Sequence, residues 1–181
     1  MRKLRFHEQK LLRKVDFNLY KSTNTVREQQ ITARFYLQNR DTYHFYNCIV
    51  GKIRKLAFAL SKLKDTDEVK NSLGKNIVNR LFAMGLIKEK KLIACSKISV
   101  SAFCSRRLPT VMIRNKMVEN MKAANLFVEH GHVSIGNKVI TDCNTIVSKG
   151  MEDFIKWRDG SKILKKIEVF NENHDDFDEY A

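Results

Sequence analysis

Helix-breaking residues are almost absent from this sequence. Its 181 residues include a single proline, Pro109, and only seven glycines. Proline and glycine are the residues that most often end helices and form turns, so their scarcity predicts long helices and disfavours a turn-rich β-protein. A chain of this length has room for one full domain or two small ones, and it can bury a substantial core.

The positive charge of the chain is large and unevenly distributed. The formal net charge is +14, and the last eleven residues, "NENHDDFDEYA", contain five acids and no lysine or arginine. The rest of the chain therefore sets 34 basic residues against 15 acidic ones, a charge of +19. Such an excess favours a polyanionic partner, and nucleic acid is favoured over a membrane surface because no apolar anchor accompanies the charge.

Targeting segments, disulfides and metal sites are not predicted. No apolar run approaches a transmembrane span, and the N-terminus is too charged for a signal peptide, so we expect a soluble intracellular protein. The four cysteines lie far apart in the sequence, without the close pairing that zinc sites and redox motifs require. They are Cys48, Cys95, Cys104 and Cys143. We expect reduced structural thiols and no metal or cofactor.

Apolar spacing predicts helices through the first half of the chain. The first is a basic amphipathic helix over about residues 4–19, which either packs on a core or lies as an arm along RNA; both interpretations remain open. A looser polar stretch over 21–30 separates it from a core helix capped by Asp41 or Thr42, whose apolar face includes Tyr46, Leu56 and Leu60. A second core helix, capped by Thr66 or Asp67 and ended by Gly85, has Val69, Leu73 and Leu81 on one face and is expected to pair with the first core helix antiparallel.

The second half of the sequence predicts a change of pattern. Alternating apolar residues over 91–104 predict an extended connector. Ser105 can cap a helix that contains Leu108, Val111 and Met112, and a second helix runs up to Gly131. "HVSI" and "KVI" flank Gly136 and predict a hairpin, "MEDFIKW" predicts a further strand, and a helix is expected to follow Ser161.

Five cations of this segment fall outside the apolar helix faces. They are Arg106, Arg107, Arg114, Lys116 and Lys122. The arginine pair lies at the start of a helix, where the positive end of the dipole disfavours cations unless an anion is beside them. A planar guanidinium group also binds phosphate oxygens through paired hydrogen bonds. The alternative is an ordinary solvated face of a helix pair.

Three motifs of this segment resemble a known RNA-binding domain. "SRRLP", "EHGHVSIGNKVI" and "VSKGMEDFI" occur in the order found in the domain named after small-subunit ribosomal protein four. In that family a helix pair and a small β-sheet form one unit whose basic helical face binds structured RNA. The resemblance covers about residues 105–157. One departure is Pro109, which stands where the family usually has an acidic residue.

The flanking segments resemble one family in particular. "MRKLRFHEQKLLRKVDF", "NRDTYHFYN", "RLFAMGLI" and "KISVSAFCSRRLP" are similar to the protein-four-like components of the eukaryotic U3 small nucleolar ribonucleoprotein. The resemblance implies a nucleolar protein that helps pair U3 snoRNA with the ribosomal RNA precursor (pre-rRNA) and so assists 18S rRNA maturation. It also implies as partners a scaffold phosphoprotein and other proteins of the small-subunit processome.

The resemblance also implies an RNA-binding face. Its residues in the domain are Arg106, Arg107, Arg114, Lys116, Lys122, His132 and Lys138. Its residues in the N-terminal arm are Arg2, Lys3, Arg5, Lys10, Arg13 and Lys14. Arg107 is the leading candidate. His132 is equally consistent with a hairpin histidine bonded to nearby backbone.

We therefore predict an α+β, mainly helical protein in three parts. A basic N-terminal helical region with an extended connector occupies residues 1–104. A small RNA-binding domain of two helices packed on a short antiparallel β-sheet occupies 105–157, and a C-terminal helix with an acidic tail occupies 158–181. Pseudouridine synthases contain the same domain, but the remaining sequence holds no catalytic motif, so we predict neither an enzyme nor a small-molecule substrate. A small-subunit ribosomal protein of the protein-four family is the alternative.

Overall fold

A computed structural model describes residues 2–12 and 23–171, apart from the side chains of residues 23–25. The helices are α1 Phe6–Leu12, α2 Thr23–Phe35, α3 Arg40–Lys62, α4 Glu68–Ala83, α5 Leu92–Ser96, α6 Val100–Cys104, α7 Leu108–Arg114, α8 Met121–Glu129 and α9 Lys162–Phe170. The strands are β1 Val133–Ile135, β2 Lys138–Val139 and β3 Ile155–Trp157, and Lys149–Phe154 forms a 3₁₀ helix. The predicted α+β, mainly helical class is confirmed.

Helix α3 is the central element of the N-terminal part. It contacts α2, α4, α5 and α6, and its buried residues are Tyr46, Val50, Ala57 and Leu60. The predicted helix is present, and Tyr46 and Leu60 of its predicted apolar face are buried. Leu56, predicted to lie in the core, is exposed, because α5 and α6 pack against the side of α3 that contains Val50 and Ala57.

Helix α4 begins and ends where the sequence predicts. Asp67 is its N-cap residue, although its side chain makes no cap hydrogen bond, and Gly85 follows its end with a φ of 76°. A positive φ costs glycine little, which is why glycine is common just after helices. The predicted apolar face is only partly buried: Leu81 is buried, but Val69 and Leu73 are exposed.

Two predictions for the N-terminal part are wrong. Much of the polar stretch over 21–30 belongs to α2, and the predicted connector over 91–104 contains the two short helices α5 and α6. Cys95, Val100 and Phe103 of these short helices are buried in the core that α3 shares. Packing against α3 thus overrides the alternating pattern that predicted extended chain.

The C-terminal part packs α7 and α8 on a three-stranded antiparallel sheet. The strand order is β2-β1-β3, with Ser134 opposite Val139 on one side and opposite Lys156 on the other. The predicted hairpin at Gly136 is confirmed, but only Ile155–Trp157 of "MEDFIKW" is a strand, because the residues before it form the 3₁₀ helix. A separate core joins these elements through Leu108, Val128, Val133 and neighbouring apolar residues.

Caps and turns account for the ends of the C-terminal helices. The cap of α7 differs from the prediction: Arg107 is the N-cap residue, and Ser105 ends α6 instead. Gly131 follows α8 with a φ of 70°, as its place in the sequence predicts. The helix predicted after Ser161 is present as α9, and the Ser161 hydroxyl caps it by accepting a hydrogen bond from the Ile163 backbone N–H.

The described part of the chain contains no helix with the length and hydrophobicity needed to cross a membrane. All four cysteines are free thiols. Cys48 is exposed and the other three are buried. The predicted acidic tail and residues 13–19 of the predicted first helix lie outside the described residues.

Candidate RNA-binding surface

Arg107, the leading candidate for RNA contact, is buried rather than exposed. Its side chain is 1% exposed. One guanidinium nitrogen donates to the Phe35 carbonyl at 3.1 Å, and the other donates to Asn144 Oδ1 at 3.1 Å. The predicted position on the outer surface is therefore wrong. The Arg107 guanidinium therefore caps the C-terminal end of α2. The last carbonyls of a helix have no partner within it, and this end of a helix favours positive charge.

Arg106 is also buried, at 4% exposure. Its Nε and one terminal nitrogen donate to the Val147 carbonyl at 2.9 and 2.6 Å, and the other terminal nitrogen pairs with Glu152. The sequence predicts an anion beside the arginine pair. In the structure that anion is Glu152, which comes from the 3₁₀ helix of the same chain, so no RNA phosphate is needed to stabilise Arg106.

Arg114 is exposed and firmly held in place. Its guanidinium donates to Glu152 Oε1 at 3.1 Å and to the Ser105 carbonyl at 2.9 Å, while 47% of the side chain remains accessible. Glu152 thus interacts with one buried and one exposed arginine. A guanidinium that is already ordered loses little further conformational entropy when a phosphate binds its open side.

Lys116 occupies a strained position at the end of α7. The Met117 N–H donates to the Met112 carbonyl and the Lys116 N–H to the Ile113 carbonyl, both at 3.0 Å. These are the two hydrogen bonds of a Schellman motif, in which the left-handed residue is usually glycine. Here that residue is the exposed Lys116, with a φ of 58°. Strain of this kind at a charged surface residue points to a role other than stability.

Lys122 and Lys138 are exposed as predicted. Lys122 lies in the first turn of α8, just across the connection from Lys116, so that connection carries exposed cations at both ends. Lys138 begins β2, directly after the hairpin turn. The structure thus places Arg114, Lys116 and Lys122 around one connection and Lys138 on the sheet.

His132 is half-buried and has a partner within the protein. Its Nδ1 lies 2.9 Å from the Ser161 hydroxyl, and its ring contacts Phe127 edge-on. The hydrogen bond joins the sheet to the start of α9. This structural role is the alternative that the sequence left open, and RNA contact by His132 stays a prediction.

Helix α1, in the N-terminal arm, has no buried residue. Leu11 and Leu12 are about half exposed, so the predicted core beneath this helix is not formed by the described residues. Arg2, Lys3, Arg5 and Lys10 are exposed, and Arg2 pairs with Glu8 at 2.6 Å. Glu8 also accepts the Arg5 N–H at 2.8 Å, as in a capping box. Arg13 and Lys14 lie outside the described residues.

The sequence analysis missed two cations that meet on one aromatic ring. The ammonium group of Lys149 lies 3.8 Å from the ring centroid of Phe82, and that of Lys90 lies 4.8 Å away. Lys149 comes from the C-terminal part and Lys90 from the N-terminal part, and both are exposed. Lys149 stands in the motif "VSKGMEDFI", which could have drawn attention to it. Lys90 carries no comparable signal.

Two family models place the chain in the ribosomal protein S4 class. The model of the ribosomal protein S4/S9 N-terminal domain matches residues 3–105, and the S4 domain model matches residues 106–153. The U3 small nucleolar ribonucleoprotein protein IMP3 of Saccharomyces cerevisiae is 43% identical over 180 residues, which is 98% of each chain. The protein of the same name from Homo sapiens is 40% identical, again over 98% of each chain.

More distant relatives belong to the ribosome itself. The small ribosomal subunit protein uS4 of Methanocella arvoryzae is 28% identical over 147 residues, which is 77% of this chain and 71% of that protein. Identity and coverage are both far higher with the nucleolar proteins. This chain belongs to the IMP3 family of U3 small nucleolar ribonucleoprotein proteins.

Proposed function

We propose that this chain is an RNA-binding component of a U3 small nucleolar ribonucleoprotein and works in the small-subunit processome. There it assists the pairing of U3 snoRNA with pre-rRNA and so the maturation of 18S rRNA. The observation that carries the proposal is the similarity to the IMP3 proteins along 98% of both chains. The formal charge of +14 supports RNA as the ligand.

The proposed RNA contacts are exposed cations of the S4-type part and the arm. They are Arg114, Lys116, Lys122, Lys138, Arg2, Lys3, Arg5 and Lys10. Arg106 and Arg107 are not among the proposed RNA contacts, because their guanidinium groups are buried and hydrogen-bonded to protein acceptors. Side chains cannot read the deep, narrow major groove of A-form RNA, so these cations recognise phosphates and shape.

The location and protein partners follow from the same family membership. We propose that the chain works in the nucleolus, beside a scaffold phosphoprotein and other processome proteins. The similarity to proteins named as ribonucleoprotein components along almost their whole length supports an assembled rather than an isolated chain.

A role as a ribosomal protein is the second candidate, because uS4 proteins are also relatives. The two roles differ in where the chain is found after ribosome assembly. A processome component sediments with precursor particles and U3 snoRNA and is absent from mature small subunits. A ribosomal protein remains in the mature subunit. Sucrose-gradient fractions probed for the chain separate these outcomes.

Salt dependence tests direct RNA contact. Each phosphate contact on single-stranded RNA contributes about −0.7 to the slope of log affinity against log salt. We expect the slope to become shallower by about 0.7–0.9, the range between single-stranded and duplex charge density, when Lys122 is changed to Glu. The matched control is Lys64→Glu, since Lys64 is exposed in the loop between α3 and α4. Titration of a pre-rRNA hairpin across salt concentrations measures both variants.

Two outcomes would contradict the proposed contacts. A slope near zero for the unmodified protein would exclude phosphate binding altogether. Equal slopes for Lys122→Glu and Lys64→Glu would show that the surface at the α7–α8 connection does not meet RNA. Crosslinking of the purified complex, followed by sequencing of the attached RNA, identifies the nucleotides concerned.

A further inference from the structure

A polar cavity of about 500 Å³ lies between α2, α3 and the start of α6. Its size falls within the range of small-molecule sites in proteins, about 300 to 1,000 Å³. It is lined by residues of all three elements, among them Arg27, Arg40, Arg54 and Ser99. None of these residues belongs to the candidate surface described above, so the cavity is a separate feature of the N-terminal part.

The charge of the cavity is positive. Three arginines line it, and Glu28 is the one carboxylate among its described lining residues, which leaves a formal excess of two positive charges. Glu28 accepts a hydrogen bond from Arg40 Nε at 2.8 Å. Arg54 Nε donates to the Ile98 carbonyl at 2.7 Å, which fixes its guanidinium at the cavity wall. Clustered guanidinium groups of this kind suit a phosphate group.

Aromatic and amide side chains line the same cavity. Tyr43, His44 and Asn47 follow one another along one side of α3, and all three line it. Aromatic rings stack on nucleobases, and an amide can donate to and accept from a base edge. Burial and then the nearby Glu28 raise the pKa of Tyr43, so its hydroxyl remains protonated as a hydrogen-bond donor.

We propose that this cavity holds one unpaired nucleotide extruded from the bound RNA. Its phosphate lies beside Arg27 and Arg40, and its base lies against Tyr43 and His44. The inference rests on the RNA binding proposed above and adds a site of different selectivity. Cations on an exposed surface recognise phosphates of any structured RNA, whereas a concave cavity of this size admits only a nucleotide that is free of base pairing.

Glu28 should oppose binding of the nucleotide phosphate. Without RNA it neutralises Arg40, and an entering phosphate must compete with it for that guanidinium. Removing the Glu28 charge should therefore strengthen nucleotide binding rather than weaken it. A purely structural ion pair between Glu28 and Arg40 would give no such gain.

The test compares a fully paired hairpin RNA with four hairpins that each add one bulged nucleotide, one for each base. We expect the full-length protein to bind at least one bulged hairpin about tenfold more tightly than the paired hairpin, since stacking of one base is worth a factor of this order. The double variant Arg27→Gln, Arg40→Gln should lose this preference and keep its affinity for the paired hairpin. Glu28→Gln should increase the preference, and Arg80→Gln, on the exposed surface of α4, should leave it unchanged.

Equal binding of bulged and paired hairpins by the unmodified protein would overturn the inference, and so would an equal loss for both hairpins in the double variant. If neither hairpin binds, the proposed function itself fails. If both bind alike with a steep salt dependence, only the cavity inference fails. Thermal unfolding of each variant checks that the fold is retained.

Discussion

The guanidinium of Arg107 donates to the backbone carbonyl of Phe35 at 3.1 Å, across 72 residues of sequence. A neighbouring contact repeats the arrangement, because the Asn125 side-chain amide donates to the Tyr36 carbonyl, also at 3.1 Å. The end of α2 is therefore completed by side chains of the S4-type part. These contacts make the two cores interdependent.

Loss of the hydrogen bond between Arg107 and Phe35 should lower the stability of the protein. We expect Arg107→Met to lower the free energy of unfolding by about 1–3 kcal/mol, the cost of leaving a buried acceptor such as the Phe35 carbonyl without a donor. Arg80→Met is the control, because an exposed substitution usually changes stability by less than about 0.5 kcal/mol. Urea unfolding measures both variants. An Arg107→Met protein as stable as its control would show that this bond contributes nothing.

Two glycines should respond to alanine in opposite directions. A Cβ at Gly85 would lie 3.0 Å from the Arg106 guanidinium carbon, on a backbone with a φ of 76°, so Gly85→Ala should destabilise by roughly 1–2 kcal/mol or more. Gly51 lies inside α3, and a Cβ there meets no atom within 4 Å. Gly51→Ala should stabilise by about 0.5–1 kcal/mol. Melting temperatures that shift in the same direction would contradict this account.

Lys116 should separate stability from RNA binding. Glycine adopts a φ of 58° without strain, so Lys116→Gly should stabilise the protein by about 1 kcal/mol. The same change removes a proposed phosphate contact and should weaken RNA binding. Lys122→Gly is the control, since glycine inside α8 destabilises while removing the same charge. Urea unfolding and RNA titration of both variants decide the matter. A Lys116→Gly protein that binds RNA normally would remove Lys116 from the surface.

The buried thiols should give the protein a pH dependence at the alkaline end. Burial raises the pKa of the Cys104 thiol to about 11. Burial, and to a smaller extent the neighbouring Glu129 carboxylate, raises the pKa of the Cys143 thiol to about 11. The folded state then keeps protons that the unfolded chain releases above its ordinary thiol pKa of about 9. The free energy of unfolding is therefore unaffected by these groups at neutral pH and falls as the pH rises from about 9 to 11.

Thiol alkylation offers a direct check at neutral pH. Cys48 is exposed and should react with iodoacetamide in the folded protein, whereas Cys104 and Cys143 should react only after denaturation. Mass spectrometry of the alkylated peptides distinguishes the sites. Reaction of Cys104 as fast as Cys48 would mean that the core opens readily.

The N-terminal arm should contribute to RNA binding without contributing to stability. Removing residues 2–12 deletes four exposed cations and none of the core, so the melting temperature should stay the same while the salt slope becomes shallower. An unchanged slope would mean that the arm meets protein instead. A variant with Arg2, Lys3, Arg5 and Lys10 changed to Gln separates loss of charge from loss of chain.

Local signals predicted much of this fold. Gly85, Gly131 and Gly136 mark turns that the structure confirms, and the helix predicted after Ser161 is present, because each depends on a few neighbouring residues. The short helices α5 and α6 were missed because their five-residue lengths are too brief for a helical period to emerge. Their shape depends on α3, some forty residues earlier.

The arginine pair shows where sequence reasoning about the site must fail. An arginine at a helix start needs an acceptor, and the sequence cannot say whether that acceptor is a phosphate, Glu152 or the Phe35 carbonyl. Both protein acceptors are remote in the chain, and only folding brings them near. The exposure of Lys122 was predicted correctly because this residue falls outside the apolar face of α8, which periodicity does reveal.

The bond between Arg107 and Phe35 also sets an order of events during synthesis. At about 5–20 residues per second, translation needs roughly 4 to 14 seconds to add the 72 residues that separate the two. Until Arg107 leaves the ribosome, the carbonyl at the end of α2 has only water as a partner, and Asn144, which also holds Arg107, emerges later still. The N-terminal helices of a nascent chain must therefore wait for the C-terminal half before they reach their final stability.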